Sequence, residues 1–319
     1  MSTLAENVAK VTAAHAALKT AIAAKGVAVP EGTKLSAMPA LVEQIQTGGA
    51  TEPTNPRAVF AADLSARSIV VPQTLVVDMT AMTDLSYCFW YCRKVSSLSL
   101  PAGFGQAATN LESCFYGCEA LPSLTLPDGF GQAATTIRNC FSACGKLASL
   151  TLSAGFGQAA TDLGYCFQDC KALTSLTLPA GCGKTATSLY YCFQDCKALT
   201  SLTLSAECGK NATSLGSCFS GCTAMTSLHL PAGFGQKATS LYNCFYGCNA
   251  LTTITGNPNF VASLSLSPCP NLTHDSLMVV INGLQTVTTT QTLTLGTTNL
   301  AKLTDEEKKV ATDKGWTLA

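Results

Sequence analysis

The motif Cys-Phe-x-x-Cys occurs seven times in this chain, starting at Cys88, Cys114, Cys140, Cys166, Cys192, Cys218 and Cys244, each start 26 residues after the last. A unit of that length cannot bury its apolar side chains alone. Repetition at a fixed period therefore predicts a solenoid in which each coil packs on the next. The copy beginning at Ser188 reads Ser-Leu-Tyr-Tyr-Cys-Phe-Gln-Asp-Cys-Lys-Ala-Leu-Thr-Ser-Leu-Thr-Leu-Ser, then a glycine turn and Ala-Thr. One copy earlier, Leu176 and Leu178 alternate with Ser175 and Thr177, the pattern of a short strand with its leucines inward. Pro101, Pro127, Pro179 and Pro231 follow the strand segments and end them, because proline has no N–H for a ladder. Cys-Phe-x-x-Cys forms the returning side and is expected as a single helical or 3₁₀ turn that buries its Phe. At about 4.8 Å per strand, seven coils make a rod on the order of 34 Å long.

Composition fits a continuous core: hydrophobic residues are 47% and charged residues 12% of 319. The 19 basic and 19 acidic side chains cancel, so net charge offers nothing to nucleic acid or an anionic membrane. No segment approaches the roughly 20 apolar residues of a membrane span, and the start of the chain, with Glu6 and Lys10, lacks the pattern of a secretion signal. The cysteines number 17, an odd count spaced by the repeat, which points to buried free thiols and not to a disulfide framework. Cys182 and Cys208 stand where other copies have Phe104, Phe130, Phe156 and Phe234, as volume-filling side chains would. Zinc on the paired thiolates is the sharper alternative, but no histidine accompanies the pairs, so neither metal nor cofactor is expected.

The flanks differ from the array. Residues 1–50 read as a helical attachment or oligomerisation region, with Leu4, Val8, Val11, His15, Leu18 and Ile22 forming an a/d seam, set against an intramolecular amphipathic helix as the alternative. Residues 51–85 read as a linker and first cap, in which Ser68-Ile69-Val70-Val71-Pro72 imitates a repeat strand. The solenoid spans 86–256. Residues 257–319 read as an α/β C-terminal cap: a helix from Asp275 to about Leu284, a strand at Thr292–Leu295, a helix opened by the capping box of Thr304 and Glu307, and a final strand at Trp316–Leu318. The fold class is thus an α/β repeat, a solenoid of about seven coils with an N-terminal helix and this cap.

The units that include Met82-Thr83-Asp84-Leu85-Ser86-Tyr87-Cys88-Phe89-Trp90-Tyr91-Cys92 resemble the 26-residue leucine-rich repeats of bacterial surface proteins, the BspA-like group, over roughly residues 80–256. Members often carry Met where Cys88 and its equivalents stand. The segments Ala24–Val27, Gly32–Ser36, Thr294–Leu300 and Lys314–Thr317 resemble parts of phage and prophage tail fibres and minor structural proteins. These resemblances imply adhesion or host recognition, with no enzymatic residues to transfer.

Comparing the seven copies shows where function is to be sought. Most positions barely change, but the two residues before the first Cys, the two after Phe and the one after the second Cys vary freely. They supply Tyr87, Trp90, Tyr91, Tyr116, Tyr165, Gln168, Asp169, Tyr190, Tyr191, Gln194, Asp195, Tyr242, Asn243 and Tyr246 as candidate ligand-binding residues. Tyr, Ser, Gly and Asn dominate, the mixture favoured in recognition loops; drift at exposed positions is the competing explanation and would more usually supply Lys and Glu. On the strand face, Ser97, Ser123, Ser149, Ser175, Ser201, Ser227 and Thr253 form one row, and Ser99, Thr125, Thr151, Thr177, Thr203, His229 and Thr255 another. That face reads as a β-propensity surface, with sugar or ice binding as the functional alternative.

Catalytic signals are poor. His15, His229 and His274 lie in three separate regions. Asp169 and Asp195 occupy equivalent places in adjacent coils, at the separation of a retaining glycosidase pair, but Lys171 and Lys197 are at hand to neutralise them. Gly103-Phe104-Gly105-Gln106-Ala107-Ala108 matches a dinucleotide fingerprint only as a recurring turn. The expected function is non-enzymatic recognition by a phage or tail-like fibre component that binds a bacterial surface glycan or protein. It would be made in the cytoplasm and act extracellularly in a virion or tail-like particle, joined to other tail proteins and forming a homotrimer through its N-terminal seam. A bacterial cell-surface adhesin and a carbohydrate-active enzyme are the alternatives.

Overall fold

The computed structural model describes residues 68–70 and 82–319. The seam Leu4, Val8, Val11, His15, Leu18 and Ile22 lies outside the described residues, as does most of the linker.

Eight short strands come first: β1 Ser68–Val70, β2 Ser97–Ser99, β3 Ser123–Thr125, β4 Ser149–Thr151, β5 Ser175–Thr177, β6 Ser201–Thr203, β7 Ser227–Leu230 and β8 Thr253–Gly256. They pair in parallel as β1 with β2, β3 with β4, β5 with β6 and β7 with β8, and successive pairs touch along one wall. Register places like on like: Leu124 faces Leu150, Leu176 faces Leu202 and Leu228 faces Ile254. The inward leucines of β3 to β6 are buried between exposed Ser and Thr neighbours, the alternation expected of a strand with one wet face. The interval from β1 to β2 is three residues longer than the repeat, since Ser68 pairs with Ser97 whereas Ser123 pairs with Ser149.

A second ladder of single bridges runs from Asp84 through Asn110, Thr136, Asp162, Ser188 and Ser214 to Ser240. Beside it, the recurrent Thr of each coil donates its hydroxyl to the Thr carbonyl of the previous coil, as Thr135 does to Thr109 at 3.2 Å and Thr213 to Thr187 at 3.1 Å. This gives the invariant Ala-Thr a structural role.

The returning side departs from the expected helical turn. In the coil starting at Leu163, the amides of Cys166, Gln168 and Cys170 bond to the carbonyls three residues back, at 3.1, 3.1 and 3.3 Å. Those of Leu163, Tyr165, Phe167 and Asp169 bond instead to the next coil, at 3.0, 2.9, 2.9 and 2.8 Å. A helix directs its amides along its own axis, so it would leave no donors for a neighbour. The chain instead enters the left-handed region at Tyr165 (φ 59°) and again at Asp169 (φ 56°). Overlapping turns result, with alternate amides aimed outward.

Two aromatic columns fill the interior. Phe89, Phe115, Phe141, Phe167, Phe193, Phe219 and Phe245 stack with ring centroids 5.2 to 5.8 Å apart. Phe104, Phe130 and Phe156 stack similarly, and Cys182 and Cys208 continue that column as fully buried side chains. Burial of each Phe contributes on the order of 2–3 kcal/mol. Gly131 (φ 68°) shows why the glycine turn is fixed: a Cβ there would lie 2.9 Å from both Leu111 and Phe156.

All 17 cysteines are free and buried. From the second motif to the seventh, the second Cys does more than fill space. Cys118, Cys144, Cys170, Cys196, Cys222 and Cys248 each donate Sγ–H to the carbonyl of the preceding coil's Phe at 3.1 to 3.3 Å. Burial pushes the Cys248 thiol up to about 12, keeping it protonated and a donor.

After Cys248 the period stops. The remaining elements are β9 Leu264–Ser265, α1 His274–Asn282, β10 Gln291–Thr294, α2 Gly296–Leu300, α3 Asp305–Thr312 and β11 Trp316–Leu318. β9, β10 and β11 form a parallel sheet with β10 central. Ser276 in α1 accepts the Ile254 amide of β8 at 3.0 Å, joining this region to the coils. Fully buried Asn299 donates to the Leu266 and Cys269 carbonyls, and Trp316 Nε1 donates to Gln285 at 2.8 Å. Thr304 and Glu307 form a reciprocal capping box at the start of α3.

Candidate recognition face

The candidate ligand-binding residues all project from the returning side, because equivalent positions of successive coils are held in register by the amide ladder. All eight tyrosines of the chain, and one of its two tryptophans, stand in these variable columns. Counting tyrosines by repeat position would reveal this from the sequence.

The aromatics fall into three groups instead of one continuous stripe. Tyr87, Trp90, Tyr91 and Tyr116 form the first, with the Tyr91 and Tyr116 rings edge to face at 5.2 Å. Tyr165, Tyr190 and Tyr191 form the second, where Tyr165 and Tyr191 stack in parallel at 5.1 Å and Tyr190 stands edge-on to both. Tyr242 and Tyr246 form the third, and with 72% and 59% exposure they are the exposed large hydrophobic side chains among the described residues. The coils between carry small residues: Ser142 and Ala143 in one, Gly216, Ser217, Ser220 and Gly221 in the other. Two glycines make room for rings. A Cβ on Gly117 would lie 2.7 Å from Tyr91, and one on Gly216 3.0 Å from Tyr190.

Backbone conformation accounts for part of the composition. The residue before the first Cys is left-handed in every copy: Tyr87, Ser113, Asn139, Tyr165, Tyr191, Ser217 and Asn243, at φ 53 to 59°. So is the second residue after Phe: Tyr91, Gly117, Ala143, Asp169, Asp195, Gly221 and Gly247. Gly, Asn and Asp suit this region, which explains those residues without any ligand. Tyr87, Tyr91, Tyr165 and Tyr191 have no such account, since a bulky side chain at positive φ is disfavoured.

Charges here are largely paired. Arg93 meets Glu119 at 3.2 Å and lies over the Tyr91 ring at 4.5 Å; Arg138 meets Asp162 at 3.2 Å and lies over Tyr165 at 4.8 Å. Asp169 and Asp195 each hold a lysine of their own coil, Lys171 at 3.1 Å and Lys197 at 3.6 Å. Ser142 Oγ donates to Gln168 Oε1 at 3.4 Å, and Gln168 Nε2 donates to Gln194 Oε1 at 2.8 Å. Hydrogen bonding to Tyr191 pushes the Tyr190 phenol up to about 12, and bonding to Tyr91 raises that of Tyr116. Asn243, the last candidate, stands half-buried beside Tyr242.

The strand face offers exposed Ser and Thr on β3 to β6 and one side-chain pair on the last two coils, His229 Nδ1 to Thr255 Oγ1 at 3.0 Å. Among the described residues no group of three or more His, Cys, Asp or Glu is arranged to hold a metal ion, and no helix is long and apolar enough to cross a membrane.

A family model described as a BspA type leucine rich repeat region matches in six copies, over residues 85–210, 163–273 and 189–304. Solved structures similar to the chain include a leucine-rich repeat protein from Bacteroides ovatus ATCC 8483, at 16% identity and TM-score 0.32, covering 80% of this chain and 84% of that one. Another is a leucine rich cell surface protein from Faecalibacterium prausnitzii A2-165, at 16% identity and TM-score 0.21, covering 54% of this chain and 68% of that one. No curated protein sequence matches the chain.

Proposed function

This chain belongs to the BspA-type leucine-rich repeat family, and we propose that it is a non-enzymatic recognition protein of a bacterial surface whose ligand docks on the aromatic face. The observation that carries this reading is the placement of Tyr87, Tyr91, Tyr165 and Tyr191 at φ 55 to 59°. Other coils use Ser, Asn, Ala, Gly or Asp at the same two positions, so the fold itself does not need aromatics there. Strained residues retained against local preference are where external function is sought. Asp169 and Asp195, each held by a lysine, act in this reading as structural and polar contact groups.

Labelled chain should bind intact bacterial or host cells saturably and release no glycan fragments. Replacing Tyr190 and Tyr191 with Ala should weaken binding by about tenfold or more, the usual effect of removing aromatic anchors. Replacing Thr125, Thr151 and Thr177 on the strand face should leave it unchanged. Equal loss from the strand-face variant, or measurable glycan hydrolysis, overturns the reading.

The second reading, a phage or tail-like fibre component, rests on the terminal segments. Thr294–Leu300 and Lys314–Thr317 belong to the C-terminal region, where Leu295, Asn299 and Trp316 are buried and serve its packing. Recovery of the chain in sedimented particles, and not in the cell envelope, would favour the fibre. Under either reading the Leu4 to Ile22 seam would join copies into a homotrimer, so full-length chain should sediment as an oligomer and a chain starting at Thr51 as a monomer.

A further inference from the structure

We infer that the ligand of the aromatic face is an uncharged glycan chain lying along the solenoid axis, with Ser142, Gln168 and Gln194 as its polar track, which starts in the coil between the first two aromatic groups and runs beside the second. This deepens the proposed function and rests on the aromatic face being the binding site.

Charge is the first argument. Arg93, Arg138, Lys171 and Lys197 are each matched by a carboxylate at 3.1 to 3.6 Å, and the Glu112 carboxylate is the one charge of the variable columns outside these pairs. Such a face has no field to draw in a nucleic acid, a polyanionic glycan or a strongly charged peptide. The Tyr116 and Tyr190 phenols add no charge, since hydrogen bonds with Tyr91 and Tyr191 raise them further above neutral pH.

The second argument is the donor and acceptor pattern. The first position after Phe reads Trp90, Tyr116, Ser142, Gln168, Gln194, Ser220 and Tyr246. Its middle is a row of hydroxyls and amides, bonded from Ser142 through Gln168 to Gln194, and its two ends are aromatic. An amide donates and accepts at once, as the vicinal hydroxyls of a sugar require, while forming no ion pair. Gln194 Nε2, at the end of this row, has no protein partner among the described residues, leaving a donor for a ligand.

Shape is the third. Aromatic groups occur on the first and second, fourth and fifth, and seventh copies, so they recur about every 14 Å at about 4.8 Å per coil. One coil rise is close to the length of one hexopyranose unit in an extended chain, so a linear glycan meets an equivalent column at every sugar. Tyr rings present apolar faces for sugar stacking and hydroxyls at their edges. A protein partner would more naturally use a broad patch depleted of charge at its centre; here Tyr242 and Tyr246 are the exposed large apolar side chains among the described residues, and ion pairs stand in the same coils as the second aromatic group.

The test uses full-length chain and cells that it binds. Periodate oxidation of the cells, which cleaves vicinal diols, should abolish binding, whereas protease treatment should leave it. Binding should persist at about 0.5 M NaCl, where exposed charges are screened. Substituting Gln168→Ala with Gln194→Ala should weaken binding by about tenfold while the unfolding midpoint stays within error; Gln168→Glu should weaken it similarly if the ligand makes no ion pair. Binding that survives periodate but not protease, or that salt abolishes, overturns the glycan assignment and leaves the aromatic face standing. Loss of the glutamine effect with retention of the tyrosine effect overturns the polar track. Failure of the tyrosine variants to affect binding overturns the underlying reading as well.

Discussion

Tyr190 and Tyr191 provide an internal control for the claim that the fold carries strained tyrosines. The two rings touch each other and share the partner Tyr165: Tyr190 lies 5.6 Å from Tyr165 and 4.1 Å from Tyr191, and Tyr191 lies 5.1 Å from Tyr165. Only Tyr191 is left-handed, at φ 58°. Removing either ring forfeits aromatic contacts worth about 1 kcal/mol. Changing Tyr191 to Asn, the residue at the equivalent Asn139 and Asn243, also relieves a left-handed penalty of roughly 1–2 kcal/mol. Tyr190→Asn should thus destabilise the chain by about 1 kcal/mol, and Tyr191→Asn should be neutral or stabilising by up to about 1 kcal/mol. The difference between them isolates the strain, because the shared losses cancel. Urea unfolding followed by circular dichroism measures it, the comparison resting on midpoints at unchanged slope. If Tyr191→Asn destabilises as much as Tyr190→Asn, the left-handed tyrosines carry no strain and the argument that they are kept for a ligand falls.

Further outcomes follow from the thiols and from the C-terminal region. Cys170→Ala should cost about 2 kcal/mol, from a lost buried atom and a weak hydrogen bond to Phe141 at 3.2 Å, and Cys170→Ser only about 1 kcal/mol because the donor is kept; chemical denaturation giving Ser the larger cost would show the thiols to be fillers alone. Native chain should resist alkylation at all 17 cysteines, which should react after denaturation, as mass spectrometry would register; rapid native labelling would contradict their burial. His274 is raised above its usual 6.5 by hydrogen bonds to Glu307 and Asp275, and Glu307 is lowered below 4.5 by the Thr304 amide and then by His274. The His274 contribution is full below 6.5 and lost as pH rises through its raised value; the Glu307 contribution is full above 4.5 and lost as pH falls through its lowered value. The link between α1 and α3 should therefore be strongest between 4.5 and 6.5, and His274→Gln should flatten the decline in thermal stability as pH rises above 6.5. An unchanged pH profile in that variant would remove the link.

What was legible in the sequence is what repeats. Leucines, phenylalanines and cysteines at fixed intervals specify columns, and Cys182 standing in the place of Phe156 already marks both as interior. The backbone of Cys-Phe-x-x-Cys was not legible from its apolar pattern, because a five-residue buried run fits a helical turn as well as a string of turns. The deciding signal lay beside it, in Asn139, Asn243, Gly117, Gly221 and Gly247, which occupy left-handed positions. Local conformation suffices for those residues, whereas for Tyr87, Tyr91, Tyr165 and Tyr191 at equivalent positions it does not. Segmentation of the aromatics follows from the copies with small residues and needed only the register. The bonds of Asn299 to Leu266 and Cys269 obey no period, so nothing local in the chain announced them.

The outward amides of each coil reach a partner 25 residues ahead, as Tyr165 does with Tyr190 and Asp169 with Gln194, and every coil offers its neighbour the same carbonyls. A coil is therefore interchangeable with its neighbours, and the gene can gain or shed whole 26-residue cassettes by unequal exchange without exposing a mismatched joint. Any such event moves the two aromatic groups on either side of it by one step along the rod. Length and stability would change gradually, whereas the phase between groups changes at once, so variants of differing cassette number would differ first in the spacing of what they grip.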